Sequence, residues 1–346
     1  MTENQHPISV VDLFCGVGGL TRGLIDAGLE VKAGYDIDHT CKFAYEENNN
    51  TKFFDRNIRE VSGNDFSQDY WNDSQFKVLV GCAPCQPFSS HSFKNKQVHK
   101  SEKWNLLNEF LRIVNETQPD IISMENVPNL RNQEIFIEFV NELSRSYNVS
   151  SSVVFCPDYG VPQRRKRLVL LASKLGPIKI INPTHSKDEY VTVRDTIKKT
   201  KKRGDPLNRW TKLSDTNRER IKNSIPGGNW TDWPDELILD CHRKSSGSSY
   251  KSVYGRMKWD DVSPTITTQF YNYGTGRFGH PKKNRALTIR EGALLQTFPI
   301  DYKFFEDEEY VGLKTLGRYI GNAVPPKLGE AIGKSIIKNI EDYGYE

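Results

Sequence analysis

Cysteine is scarce in this chain of 346 residues: there are six, at positions 15, 41, 82, 85, 156 and 241. So sparse and uneven a set is no disulfide framework for a chain of this length. Cys82 and Cys85 form one CxxC, but the second pair that would complete a zinc site is lacking. Zinc binding and redox exchange are therefore the weaker readings of that pair, and no metal is expected. No stretch approaches the roughly 20 consecutive apolar residues of a membrane span. The opening MTENQHP is short and polar, unlike a secretory signal. A soluble, cytoplasmic protein without a membrane partner is the expectation. A Walker lysine motif is also missing, which disfavours nucleotide hydrolysis.

Net charge is nearly absent as well, at +4, yet it is unevenly spread. Residues 160–290 carry 28 Lys and Arg against 12 Asp and Glu, a net +16, while the remainder carries 20 against 32, a net −12. A basic block of this kind is a candidate footprint for a polyanion, the alternative being a merely solvated basic face.

What is present in the first half is an alternation of short apolar strands and helical stretches, the pattern of an α/β fold with a parallel sheet. Runs 8–14, 31–35, 78–80, 121–124 and 168–172 read as strands, and 20–27, 106–116 and 135–147 carry apolar residues at helical spacing. From about 175 to 285 the alternation gives way to a stretch of Gly, Pro, Ser, Trp and basic residues, which reads as a separate loop-rich domain. Helical periodicity returns at 289–296 and 326–340.

In such sheets ligands gather at the carboxyl ends of the strands, and the unusual residues of this chain follow its strands. Gly16, Gly18 and Gly19 sit between the first strand and a helix, where they allow a tight turn and close approach of a ligand to the backbone. The third glycine of a GxGxxG is replaced by Thr21, so the turn alone is weak evidence, shared with NAD-binding folds. Asp36 lies 20 residues beyond Gly16, the offset at which an acid meets ribose hydroxyls. Together they point to an adenosine-type cofactor. Cys85 stands in a proline-stiffened turn, GCAPCQPFS, just after the 78–80 strand, fixed and accessible as a nucleophile must be. Glu125 follows another strand and can share its crevice, although an acid at a strand end is more often a cap or surface residue. In QRRKR, period-two spacing places Gln163, Arg165 and Arg167 on one side; a plain basic edge is the alternative.

The ordered set DLFCGVGG, PCQPFS, ENV, QRRKR, REGALLQTFP and GNAVPP resembles the DNA cytosine-C5 methyltransferase family of prokaryotic restriction-modification systems. The elements stand in the family's order and span the chain except for about 175–261. The resemblance implies a Rossmann-like α/β domain that binds S-adenosylmethionine (SAM), residues 1–175 completed by 315–346. A smaller, loop-rich target-recognition domain and hinge would occupy 176–314. It implies Cys85 as the thiolate that adds to cytosine C6, and Glu125 as the group that holds N3 and the exocyclic amine and donates a proton. Asn126 would order the catalytic loop, and Arg165 and Arg167 would orient the base and stabilise developing charge.

For the cofactor, released as S-adenosylhomocysteine, the matching positions are Phe14, Gly16, Gly18, Asp36, Ile37, Ile58, Pro84, Leu106, Asn322 and Val324. Asn57 stands where relatives commonly carry aspartate, so its role is open. Because GNAVPP is C-terminal, the last helix is expected to fold back on the first domain. Double-stranded DNA is the implied partner, with the target base flipped out of the stack and a loop beginning at Gln86 and containing Ser89 closing over it. Gln163, Thr265, Arg277, Arg285 and Arg290, with His280 and Lys282 beside them, are candidate DNA contacts. Trp230, Trp233, Tyr271 and Tyr273 read as packing residues. A monomer associated with the bacterial nucleoid, with a cognate restriction endonuclease acting separately, completes the picture. Two other readings stay open. One is methylation of tRNA, although the Cys-Phe-Thr tripeptide of that branch is absent. The other is a non-catalytic DNA-binding module, against which Cys85, Glu125 and Arg167 argue.

Overall fold

The structure is a computed structural model that describes residues 8–67, 70–71, 74–84, 106–198, 204–307 and 309–344. Cys85, Gln86 and Ser89 lie outside the described residues. The chain divides into two compact units, the first formed by Met1–Phe155, Lys166–Pro183 and Val324–Glu346, the second by Cys156–Arg165 and Thr184–Ala323.

The first unit is built on a seven-stranded sheet. Its strands are β1 (Ile8–Leu13), β2 (Glu30–Asp36), β3 (Lys52–Asp55), β4 (Phe76–Gly81), β5 (Ile121–Asn126), β6 (Asn148–Phe155) and β7 (Lys166–Ser173). They lie in the order β3-β2-β1-β4-β5-β7-β6. β1 to β5 pair in parallel, as the α/β alternation predicts. β7 runs antiparallel to both β5 and β6, which departs from a purely parallel sheet. The five strands expected from sequence are all present, because each is an apolar run buried on both faces. β3 and β6 were not expected. β3 has four residues with charged ends, and β6 (NVSSSVVF) is a serine-rich edge strand with little of its surface buried.

Side chains from the strands and from helices Leu106–Thr117 and Glu134–Leu143 share one core, in which Leu79, Phe110, Ile113, Met124 and Phe139 are at most 1% exposed. On that apolar burial, worth ~2 kcal/mol for each large side chain, the strand ends are held in register. The C-terminal helix Pro326–Tyr343 packs on helix Gly19–Asp26, so the expected fold-back is present. Glycines make the approach possible: a Cβ on Gly23 would lie 2.2 Å from the Pro326 carbonyl oxygen.

The second unit has short helices, among them Asp215–Lys222, Ile289–Leu295 and Leu313–Asn322, with isolated bridges in place of a sheet. Trp230, Trp233 and Tyr273 are buried together, as packing residues. Arg256 replaces sheet hydrogen bonds with its own, donating to the carbonyls of Ile221, Ser224, His280 and Lys283. Among the described residues, no helix is long and apolar enough to cross a membrane.

Candidate active site

In the first unit, β1 ends in a turn whose backbone lies largely in the left-handed region: Phe14 at φ 60°, Gly16 at 51° and Gly18 at 84°. Glycine accepts this region freely, whereas Phe14 is held there against its steric preference. A Cβ on Gly16 would meet nothing within 4 Å, so the peptide edge is open to a ligand. Asp36, at the end of β2, fixes the turn from the next strand. Its Oδ2 accepts from the Gly16 amide at 2.8 Å and its Oδ1 from the Asp38 amide at 2.9 Å. Burial pushes this carboxyl above the usual range, while the backbone donors pull it back. Each oxygen retains acceptor capacity, which suits a pair of ribose hydroxyls. Ile37 beside it is 68% exposed, an apolar face open for a flat ring.

The remaining candidate cofactor residues are more dispersed. Ile58 is buried, and Asn57 uses its side-chain oxygen to cap the next turn at the Arg59 amide, 3.2 Å away. Pro84 is exposed, and Leu106 is half-buried at the start of its helix. Val324 is buried in the first unit, whereas Asn322 is an exposed residue of the second. The open Gly16 edge, the anchored Asp36 and the exposed Ile37 together fit an adenosyl group.

Two residues flanking the turn were given no site role in the sequence reading. Asp12, wholly buried in β1, accepts from the Thr21 hydroxyl at 2.7 Å, and Thr21 also lies 3.0 Å from the Tyr45 hydroxyl. The signal was there to find: a carboxylate inside an otherwise apolar strand.

The neighbouring strand ends carry the second group of residues. β4 and β5 pair as far as Gly81 and Met124, so the residues that follow lie side by side. Glu125 is 3% exposed. Its Oε1 lies 2.8 Å from Arg167 Nε in an ion pair that is not aligned as a hydrogen bond. Its Oε2 accepts from the Cys82 thiol at 2.8 Å. Asn126 donates from Nδ2 to the Ala83 carbonyl at 3.0 Å and accepts from the Val127 amide at 2.9 Å. Glu125, Asn126 and Arg167 are thus brought together beside the stretch 82–84, which leads in sequence to Cys85. Cys82 was not expected there.

The sequence trio in QRRKR does not share one face. β7 begins only at Lys166, so period-two alternation covers Arg167 but not Gln163 or Arg165, which belong to the second unit. Arg165, 2% exposed, donates to the carbonyls of Ile266 at 3.0 Å and of Gly321 and Ala323 at 3.4 Å. Gln163 is wholly buried, bonded to the Leu295 carbonyl, the Gln296 side chain and the Ile266 amide.

Other expected DNA contacts need correction on the same ground. Arg285 donates two buried hydrogen bonds, one to each Glu291 carboxylate oxygen at 2.7 Å, and Arg290 Nε pairs with Asp205 at 2.7 Å. Removing either arginine to a phosphate would strand a buried carboxylate. His280 is buried, accepting at Nδ1 from the amides of Lys282 and Lys283. Thr265 spends its hydroxyl on the Arg164 carbonyl at 2.7 Å. Of the candidate contacts among the described residues, Arg277 and Lys282 are exposed cations.

Comparison with known proteins identifies the family. The family model of the C-5 cytosine-specific DNA methylases matches residues 8–338. Type II methylase M.HgiDII of Herpetosiphon aurantiacus is 53% identical over 344 residues, covering 96% of each chain. Type II methyltransferase M1.HphI of Haemophilus parahaemolyticus is 31% identical, over 96% of this chain and 87% of its own. The solved structure of the Entamoeba histolytica methyltransferase EhMeth shares the fold at a TM-score of 0.67 with 17% identity, over 98% of this chain and 99% of that one. The chain belongs to the C-5 cytosine-specific DNA methylase family.

Proposed function

We propose that this DNA cytosine-5 methyltransferase modifies cytosine within a specific duplex sequence, as the DNA-protecting member of a restriction-modification system. The similarity to Type II methylases over nearly the full length supports that setting. The chemistry rests on one observation above the others: a buried Glu125, faced by Arg167 and Cys82, stands where two strand ends meet the stretch that leads to Cys85.

Cytosine C5 is too electron-poor to take a methyl group unaided. In the proposed reaction the Cys85 thiolate adds to C6 of a base flipped from the stack, at a cost of a few kcal/mol. Electron density passes to C5 while Glu125 gives a proton to N3. Phe14, Gly16 and Gly18 of the turn, with Asp36 and Ile37, would hold SAM, which would give its methyl group to C5 and leave as S-adenosylhomocysteine. Loss of the C5 proton to a base or water then expels Cys85. Arg167 keeps Glu125 in place and Asn126 ties the strand end to Ala83, so both act on the orientation of the reacting groups. Arg165 and Gln163 act through the backbone they hold.

The reading predicts that Cys85→Ala abolishes methyl transfer and retains DNA binding, because the thiol supplies chemistry rather than most of the affinity. Labelled SAM with duplex DNA measures the first and a binding titration the second. Duplexes bearing 5-fluorocytosine should trap the parent protein covalently and leave Cys85→Ala untrapped. Turnover undiminished in the mutant, label on an exocyclic nitrogen, or label in tRNA alone would refute the proposal.

A further inference from the structure

We propose that Cys82 is a positioning residue for methyl transfer, its thiol holding the proton-donating carboxyl of Glu125 by the oxygen that carries the proton. The inference rests on the reading of Glu125 given above.

The two oxygens of Glu125 have unequal partners. Oε1 lies 2.8 Å from Arg167 Nε, a permanent cation projecting from β7, and Oε2 receives the Cys82 thiol at 2.8 Å from the exit of β4. Among the described residues these are the charged and titratable groups that pair with or bond to the carboxyl. A proton arriving on Glu125 is disfavoured at Oε1, next to the guanidinium, and so resides on Oε2. A thiol suits that oxygen because it can both donate and accept, weakly in each sense. Opposite the carboxylate it donates; opposite the protonated acid the sulfur can turn and accept. Glu125 is 3% exposed, so water is poorly placed to play this part. A glycine or alanine at position 82 would leave the oxygen without this partner, and a carboxylate there would repel it.

The same stretch is tied a second time. Asn126, next to Glu125, donates to Ala83, next to Cys82, at 3.0 Å. Neighbouring residues on a strand project to opposite faces, so the two bonds hold the segment 82–83 against β5 from both sides. The segment that fixes Glu125 is therefore also the one that runs on in sequence to Cys85.

The test compares Cys82→Ala, Cys82→Ser and Glu125→Gln with the parent full-length protein. Single-turnover methyl transfer is measured across pH 5.5 to 9, with KM for DNA and for SAM alongside. The expected result for Cys82→Ala is a rate about tenfold lower with both KM values within about twofold. The dependence of the rate on pH should change as well, because the carboxyl has lost one of its two partners. Cys82→Ser, which keeps a group able to donate and accept, should restore most of the rate and the parental profile. Cys82→Ala matching the parent in rate and profile would overturn the proposal. So would a serine variant as slow as the alanine one with the profile unmoved, since that pattern belongs to a structural role. Glu125→Gln separates the two readings. Parental activity in that variant removes the role of Glu125 and this proposal with it. An inactive Glu125→Gln beside an unaffected Cys82→Ala removes this proposal alone.

Discussion

Asp12 shows how a single buried group shapes the behaviour of its surroundings. It is wholly buried, its Oδ2 is served by Thr21, and its Oδ1 has no hydrogen-bond partner among the described residues. Burial first, and the nearby Asp36 carboxylate as well, push its pKa from 3.8 up to about 7. The folded chain therefore binds this proton more tightly than the unfolded one, so the associated stability is full below about pH 4. It is lost as pH rises towards 7, and is level above that. At 1.36 kcal/mol per unit the loss is at most about 4 kcal/mol. Asp12→Asn, which cannot ionise, should flatten that slope. Urea unfolding midpoints at pH 5 and pH 7.5 measure it, and an equal slope in mutant and parent would show that the group is not responsible. The residues legible in sequence were those whose chemistry declares itself locally, such as the glycine turn with Asp36, or Glu125 at a strand end. Arg285 and Arg290 were misread as DNA contacts for the opposite reason. A cation looks free in sequence until its acid is located, and that of Arg290 is Asp205, 85 residues away.

At the level of elements, an apolar run bounded by glycine or a polar turn was enough to locate β1, β2, β4, β5 and β7, since burial on both faces leaves that signature in the chain. β6 lacks it because an edge strand has little surface to bury, and β3 because four residues are too few to show a period. The docking of the C-terminal helix was foreseen from the position of GNAVPP, but the means lies in the glycines. A Cβ on Gly23 would stand 2.2 Å from the Pro326 carbonyl oxygen and 2.6 Å from the Glu330 amide nitrogen. Both are backbone atoms in the first turns of a helix, so neither can rotate away. Gly23→Ala should gain up to ~1 kcal/mol in helix propensity yet lose more to overpacking, for a net destabilisation of about 1–3 kcal/mol. A thermal or urea melt at the level of the parent would mean that the two helices can separate at little cost.

On the scale of the whole molecule, the charge split seen in sequence is softened by the fold. Counted by unit, the second carries 27 Lys and Arg against 19 Asp and Glu, a net +8, and the first 21 against 25, a net −4. The basic residues of β7 fall to the first unit and the acidic run 306–309 to the second, which a linear window divides differently. The two units also differ in how they respond to acid. In the second, burial lowers the His280 pKa from 6.5 to about 4, with Arg285, Lys283 and Arg256 adding to the effect and Glu291 opposing it. The folded form thus binds this proton more weakly than the unfolded chain does. Stability from His280 is full above about pH 6.5 and is lost as pH falls towards 4, by at most about 3 kcal/mol. Asp12 in the first unit changes in the opposite direction over nearly the same range. A global melt sums the two and conceals both, whereas native-state hydrogen exchange reports each unit separately. Between pH 7 and pH 5, after correction for intrinsic exchange, amides of β1 and helix Gly19–Asp26 should gain protection while those of 278–289 lose it. Asp12→Asn should abolish the first change alone and His280→Gln the second alone. Protection moving the same way in both units, or either mutation altering the other unit's response, would show that burial of these two groups does not govern the molecule's response to acid.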